Sequence, residues 1–475
     1  MSLAPILQNP YKMWNGPGAM TNNLPPLPLK RSNRIGFHYF PDTLHFRESD
    51  LHTWLPRLQS LGAGWLVLQS QVSHAIPEAF ITALCTAGIE PIIHFPLSLH
   101  EKTDPSELSP LLTAYARWGV RTVIFYDRPN TRASWPAAAW AHGDLVETFL
   151  DRFIPLAELA QSCGLTPVFP PLTPGGDYWD LAFLRLSLES LQRRQRKALL
   201  SALALSAYAW AGSRPLNWGV GGPERWPQAH AYASAKTPDQ RGFRIFDWYL
   251  AVHQAVTDKA APIFLLQAGL SAAPTDGESA AAHHTRVHLA LARLAARETP
   301  TEPGDSQSPL EPLPEEVAAC CFWLLSADAA SPLDAYAWFP QNRPALPAAA
   351  ALQAWQSRRQ PAPTPAPRSQ PQRKDLPEGE APPPMQHPIQ HYLLLPTYEW
   401  GVADWQLNAL QPLIKKFRPT VGFSLAEAAL AARVTVLSDP QSIPEEALDR
   451  LRQTGSRVDR IAPDGTSIAT FLTER

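Results

Sequence analysis

The chain has 475 residues, 45% of them hydrophobic and 18% charged, with a formal net charge of -2. That length exceeds one ordinary core and implies two domains, while the near-neutral balance gives no electrostatic case for nucleic acid or an anionic membrane. No stretch is long and apolar enough to span a bilayer.

Residues 1–33 carry no basic segment followed by an apolar run, so they are expected to form an extended arm rather than a secretory leader. The four cysteines, Cys85, Cys163, Cys320 and Cys321, lack metal-type spacing and read as buried free thiols in helical contexts. Both features favour a cytoplasmic setting. An extracytoplasmic one is the alternative if the N-terminus is truncated.

From residue 34 the chain alternates β-rich runs with amphipathic helical ones. The run 34–40 (RIGFHYF) predicts a strand and 48–61 a helix. The pairs 65–70 with 77–87, 90–96 with 106–118, 121–127 with 144–162 and 166–170 with 181–200 repeat that unit. Further strands are expected at 203–209, 262–267 and 334–339, and further helices at 238–256, 283–296, 315–326 and 348–355. Eight strands alternating with helices imply an α/β fold, a TIM (β/α)8 barrel over 34–356. An open doubly wound sheet is the alternative, but no Gly-rich phosphate turn follows the first strand.

The segment 299–314 (TPTEPGDSQSPLEPLP) reads as a flexible insertion. Residues 357–388, rich in Pro, Gln and charge, read as a semi-extended linker. Beyond it, 389–475 forms a small α/β, Rossmann-like domain, with strands at 391–395, 434–437 and 457–461 and helices at 402–416, 425–432 and 443–453.

A parallel barrel builds its site from the loops at the C-terminal ends of its strands. His38 and Tyr39 end the first strand, His94 the third, and Tyr208 with Trp210 the sixth. The loop 171–180 brings Asp177, Tyr178, Trp179 and Asp180, and the loop 211–235 brings Glu224 and Trp226. Glycine, an acid and aromatics together suit gripping a sugar ring; capped turns over buried aromatics are the alternative. The sixteen tryptophans divide the same way, between core packing and stacking platforms. His283, His284 and His288 lack the carboxylate of an HExxH site and read as a solvated helix face, so neither metal nor cofactor is expected.

The fourth strand ends Tyr126-Asp127-Arg128-Pro129-Asn130 and the seventh Leu265-Leu266-Gln267-Ala268-Gly269. Here the chain resembles the clan A (β/α)8 glycoside hydrolases of the (trans)glycosidase superfamily. Those enzymes end strand four with Asn-Glu-Pro, often followed by Asn, and strand seven with a glutamate. The resemblance implies that Arg128 stands at the proton-donor position and Gln267 at the nucleophile position. Arginine stays charged and cannot act as a general acid, and an amide is no nucleophile for a glycosyl centre.

The reading is therefore a glycosidase-like barrel without catalysis, binding a carbohydrate or other polar ligand through Arg128, Asn130, Gln267 and the strand-end residues. One alternative is an active glycosidase using Asp127, Asp177 or Glu224. Another is a scaffold whose mouth is plugged by Arg128 ion pairs. The C-terminal unit, with Arg433-Val434-Thr435-Val436-Leu437, Ile443-Pro444 and Arg457-Val458-Asp459-Arg460-Ile461, resembles bacterial cell-wall-binding repeats. That likeness implies a cell-wall glycan as partner.

Overall fold

The computed structural model describes residues 33–141, 144–227, 239–270, 277–359, 389–395, 416–417, 419–422, 424–438 and 443–462. The expected N-terminal arm, nearly all of the linker and most of the 402–416 helix lie outside these residues. The chain divides into two compact units, Met1–Ala366 and Pro367–Arg475.

In the first unit, strands β1 (Ile35–His38), β2 (Trp65–Gln69), β3 (Glu90–Phe95), β4 (Thr122–Phe125), β5 (Thr166–Val168), β6 (Leu205–Trp210) and β7 (Ile263–Gly269) alternate with helices. A hairpin, β8 (Thr301–Glu302) and β9 (Asp305–Pro309), precedes the eighth barrel strand, β10 (Val317–Phe322). The sheet runs β5-β4-β3-β2-β1-β10-β7-β6. Its pairings are all parallel, and a parallel bridge from Val168 to Ala204 joins the two ends into a barrel.

Strand pleating sends alternate side chains to opposite faces. Trp65 and Val67 of β2 point into the barrel with Ile92, Ile124 and Phe264, while Leu66 and Leu68 join the layer beneath the helices. A Cβ on Gly36 would lie 2.6 Å from Cys321 Sγ and 2.9 Å from Trp65 Cβ, so the missing side chain is what admits the Trp65 indole. That ring packs edge-on against Phe264 at 5.6 Å.

The outer layer holds the helices by apolar stripes and local caps. In α3 (Pro105–Arg117), the third of the series after α1 (Glu48–Ser60) and α2 (Glu78–Thr86), Asp104 accepts from Ser106 N at 2.9 Å and Pro105 occupies the first turn. Leu108, Leu111, Leu112 and Tyr115 form its buried face, and Gly119, at φ +100°, ends it. The barrel helices continue as α4 (Ala137–Ala141), α5 (Leu145–Ser162), α6 (Asp180–Arg193), α7 (Lys197–Ala202), α8 (Gly222–Arg225), α9 (Ile245–Thr257), α10 (Glu278–Ala295) and α11 (Pro347–Arg359).

Several sequence expectations need correction. The predicted helix at 315–326 is the eighth barrel strand, and the predicted strand at 334–339 begins within a 3-10 turn, Pro332–Tyr336. The run Val317-Ala-Ala-Cys-Cys-Phe322 is buried on both faces, so it shows no alternation, and alanine and cysteine give no β-branched signal. Cys320 and Cys321 are thus buried strand thiols rather than helical ones, while Cys85 and Cys163 are only part-buried.

His284 and His288 are not solvated. Their rings lie 3.9 Å apart and pack against Trp338, leaving only His283 of the three exposed. The insertion at 299–314 contains the ordered hairpin, whose Glu302 accepts from Leu216 N at 2.7 Å and Asn217 N at 3.3 Å. The helix expected at 181–200 is two, α6 and α7, separated at Gln195 with φ +56°.

In the second unit, β11 (Ile389–Leu394), β12 (Thr420–Gly422), β13 (Ala431–Leu437) and β14 (Arg457–Ile461) form a parallel sheet of order β12-β11-β13-β14. Helices α12 (Leu425–Ala428) and α13 (Glu445–Gln453) accompany it, with Leu448 and Leu451 packed on Val434 and Val436. The short strand β12 is not visible in the sequence pattern. Among the described residues, no helix is long and apolar enough to cross a membrane.

Candidate functional site

A cavity of about 480 Å³ opens at the C-terminal ends of the barrel strands. His38 of β1, Gln69 of β2 and His94 of β3 line one side; Tyr208 and Trp210 of β6 and Gln267 of β7 line another. Asp127 and Arg128, just past β4, and Trp323, just past β10, complete the wall with Tyr336.

The backbone is bent to place these side chains. Tyr126, Arg128 and Gln267 have φ of +66°, +49° and +46°, the left-handed region that L side chains rarely occupy. Such conformations cost about 1–3 kcal/mol each and concentrate where side chains must be aimed. At Gln267 the cause is a bulge, because β7 slips register against both β10 and β6 there. The freed Gln267 N–H donates to His38 Nε2 at 3.1 Å, and Gln267 Oε1 accepts from Trp210 Nε1 at 3.2 Å.

Arg128 is anchored by its main chain. Its N–H donates to Pro171 O, and its carbonyl accepts from the Thr131 and Ser134 hydroxyls, each at 2.9 Å. The guanidinium carbon sits 4.9 Å from the Tyr208 ring centroid and 5.9 Å from that of Trp210, two rings stacked 5.0 Å apart. Arg128 Nε lies 3.5 Å from Asp127 Oδ2, while Asp127 Oδ1 accepts from the Tyr208 hydroxyl at 2.6 Å.

The electrostatics follow from burial. Desolvation, with a smaller contribution from His94, pushes His38 down to about 3, so the ring is neutral. Its Nε2 accepts, which places the proton on Nδ1. Burial also lowers His94, outweighing the opposing pull of Asp127, and His94 Nε2 donates to the Tyr126 carbonyl at 2.9 Å. Burial holds the Tyr208 hydroxyl protonated far above its ordinary range, and Asp127 adds to the effect. Burial opposes the Arg128 charge, yet Tyr208 and Asp127 together raise its pKa.

The other predicted residues stand elsewhere. Tyr39 is buried among Phe40, Phe46 and Phe80 in the outer layer. Asn130 is fully buried and clasps the loop after β5: its Nδ2 donates to Thr173 O at 2.8 Å and Tyr178 O at 3.0 Å, and its Oδ1 accepts from Thr173 N at 2.8 Å. Asp177 is exposed and accepts from Arg132 N. Tyr178 packs on Phe183, and Trp179 sits exposed at the start of α6. Glu224 is exposed in α8, whereas Trp226 packs on Trp218 and donates to Val220 O. Buried Asp180 accepts from Gly175 N, Gln240 and Tyr249, holding the same β5 loop.

Gln69, Trp323 and Tyr336 enter the lining without having been singled out. Gln69 was legible as a strand end. The mistaken helix at 315–326 hid Trp323. Among the described residues, one histidine–carboxylate group lies elsewhere, with the His45 ring nitrogens 2.8 Å from Asp42 and 3.3 Å from Asp328.

Comparison with known proteins gives no matching family description and no matching curated sequence. Similar solved structures include a family 39 glycoside hydrolase from Bacteroides cellulosilyticus WH2, with TM-score 0.42, 11% identity, and coverage of 68% of this chain and 63% of that one. A family 39 β-xylosidase from Caulobacter crescentus has TM-score 0.42, 14% identity and coverage of 69% and 71%. A family 128 endo-β-1,3-glucanase from Sorangium cellulosum has TM-score 0.38, 12% identity and coverage of 68% and 96%. This chain spans less than two thirds of the first of these.

Proposed function

We propose that the barrel binds a carbohydrate, or a similarly hydroxyl-rich polar ligand, at its mouth and does not hydrolyse it. One observation carries this reading: among the described residues lining the cavity, Asp127 is the only carboxylate, and Tyr208 and Arg128 take its two oxygens. Glycoside hydrolysis ordinarily requires two carboxyl groups flanking the scissile bond, about 5–9.5 Å apart. Asp177 and Glu224 lie outside the lining, so among the described candidates Asp127 is the one an enzyme reading would use. His38 is neutral and hydrogen-bonded, so it supplies no acid in place of Arg128.

The remaining inventory suits binding. Arg128 offers guanidinium donors, Gln267 an amide NH2, and His94 Nδ1 an acceptor. Trp210, Trp323 and Tyr336 offer faces for stacking on a sugar ring. The cavity volume falls in the range of about 300–1,000 Å³ that small-molecule sites occupy, which counts against a plugged scaffold.

A glycan array with the purified protein tests the reading. The expected result is binding of at least one glycan, weakened about tenfold or more by Arg128→Ala, a loss of about 1.4 kcal/mol. Absence of binding across the array would refute it.

A further inference from the structure

A second cavity, of about 310 Å³, shares one lining residue with the first, Trp210. Gly212, Ser213 and Arg214 line it from the turn after β6, and Arg241 lines it from the other side. The two cavities differ in charge. The first sets one guanidinium, Arg128, against one carboxylate, Asp127.

In the second, two guanidiniums converge on the single carboxylate of Asp239. Arg241 Nε donates to Asp239 Oδ2 at 2.7 Å, and Arg214 Nη1 lies 3.1 Å from Asp239 Oδ1. The Asp239 side chain is only 3% exposed, whereas that of Arg241 is 45% exposed. Among the described residues, it is therefore the guanidinium and not its acid partner that faces solvent beside Trp210. The next carboxyl group, Asp180, also acts on Arg241 through its charge, but it is buried away from solvent and its oxygens take donors from Gly175, Gln240 and Tyr249.

The cationic pair is also held in place. The Trp218 ring lies 4.3 Å from the Arg214 guanidinium carbon, and Trp218 Nε1 donates to the Asp239 carbonyl at 3.0 Å. A fixed, planar guanidinium with unused N–H edges recognises a carboxylate through paired, charge-assisted hydrogen bonds.

We infer that the ligand is an acidic oligosaccharide, with one sugar ring in the first cavity and the carboxylate of a neighbouring uronic acid residue, past Trp210, on Arg214 and Arg241. This rests on the carbohydrate-binding reading and adds the substrate class. It places the selection for negative charge outside the Arg128 cavity.

Matched probes test it: the tetrasaccharides of galacturonate, mannuronate and hyaluronan, each beside its carboxyl-reduced, neutral counterpart, in calorimetric titrations at low salt. At least one acid is expected to bind about tenfold more tightly than its neutral counterpart, and the gap should shrink in 0.5 M NaCl. Arg241→Ala, and Arg241→Lys to a lesser degree, should close the gap while leaving affinity for the neutral counterpart unchanged. That retained affinity also certifies that the variants fold. Equal affinity for acid and neutral forms, or an undiminished gap in Arg241→Ala, would overturn the inference and leave the binding reading standing. Binding of neither form, with no other glycan bound, would overturn both.

Discussion

Replacing Asn130 distinguishes a ligand contact from a loop clasp. The side chain is fully buried and makes three hydrogen bonds to the main chain of Thr173 and Tyr178. Gly176 lies so close that a Cβ there would be 2.6 Å from Asn130 Nδ2, so the loop is fitted around this amide. In Asn130→Ala, one N–H and two carbonyls lose their partner. At about 1 kcal/mol net for each bond, the loss is about 3 kcal/mol, and water reaching the half-buried loop sets a lower bound of about 2 kcal/mol.

Asn130→Asp sharpens the test. It keeps the acceptor for Thr173 N but turns a carboxylate oxygen toward two carbonyls, so it should cost at least as much at pH 7. Part of that loss should return at acidic pH, where the introduced carboxyl group is protonated and can donate. Urea unfolding should show a lower midpoint with an unchanged slope, and amide exchange should accelerate at 173–178. Stabilities of both variants within about 0.5 kcal/mol of the parent, the range of inert surface changes, would refute the clasp.

The remaining predictions concern the buried histidines, the barrel interior and the tryptophans. His38, His284 and His288 are depressed to about 3, 2 and 4 by burial, so the unfolded chain binds protons that the folded one refuses below about pH 6.5. Their contribution to stability is complete above that pH and is lost as pH falls toward 4. The slope should approach about 1.4 kcal/mol per pH unit for each histidine, and urea titrations of His284→Phe should show it reduced by one proton. Gly36→Ala should destabilise the barrel by about 1–3 kcal/mol, measured the same way, because Cys321 and Trp65 occupy the space of the new methyl. Trp179→Ala and Trp226→Ala should leave glycan affinity within about twofold, whereas Trp210→Ala should lower it about tenfold.

The first seven barrel strands were legible because each is a β-rich run set ahead of a helical pattern, even where, as in β1, β3 and β4, every residue is buried. The eighth was not. A strand buried on both faces and built of alanine and cysteine carries neither alternation nor β-branching. The same blindness affected His284 and His288, since a histidine on a helix gives no sign of which face it occupies.

At the site, the strand-end residues His38, His94, Asp127, Arg128, Tyr208, Trp210 and Gln267 line one cavity, whereas Tyr39 does not. The residues drawn from loop composition lie outside that lining. Asp177, Asp180 and Asn130 sit where acids and amides stabilise turns, and nothing in the spacing separates a side chain that holds a loop from one that faces a ligand. The Gln267 bulge, which turns its N–H to His38, is a register feature with no sequence mark.

The most direct measurement is hydrolysis by the purified protein across the glycans it binds, followed by product analysis over long incubations. With Asp127 the one carboxylate among the described lining residues, bound to Tyr208 and beside Arg128, the account predicts binding with no product above that of Arg128→Ala and Asp127→Asn controls. Turnover that Asp127→Asn abolishes would contradict it and would make the barrel an enzyme.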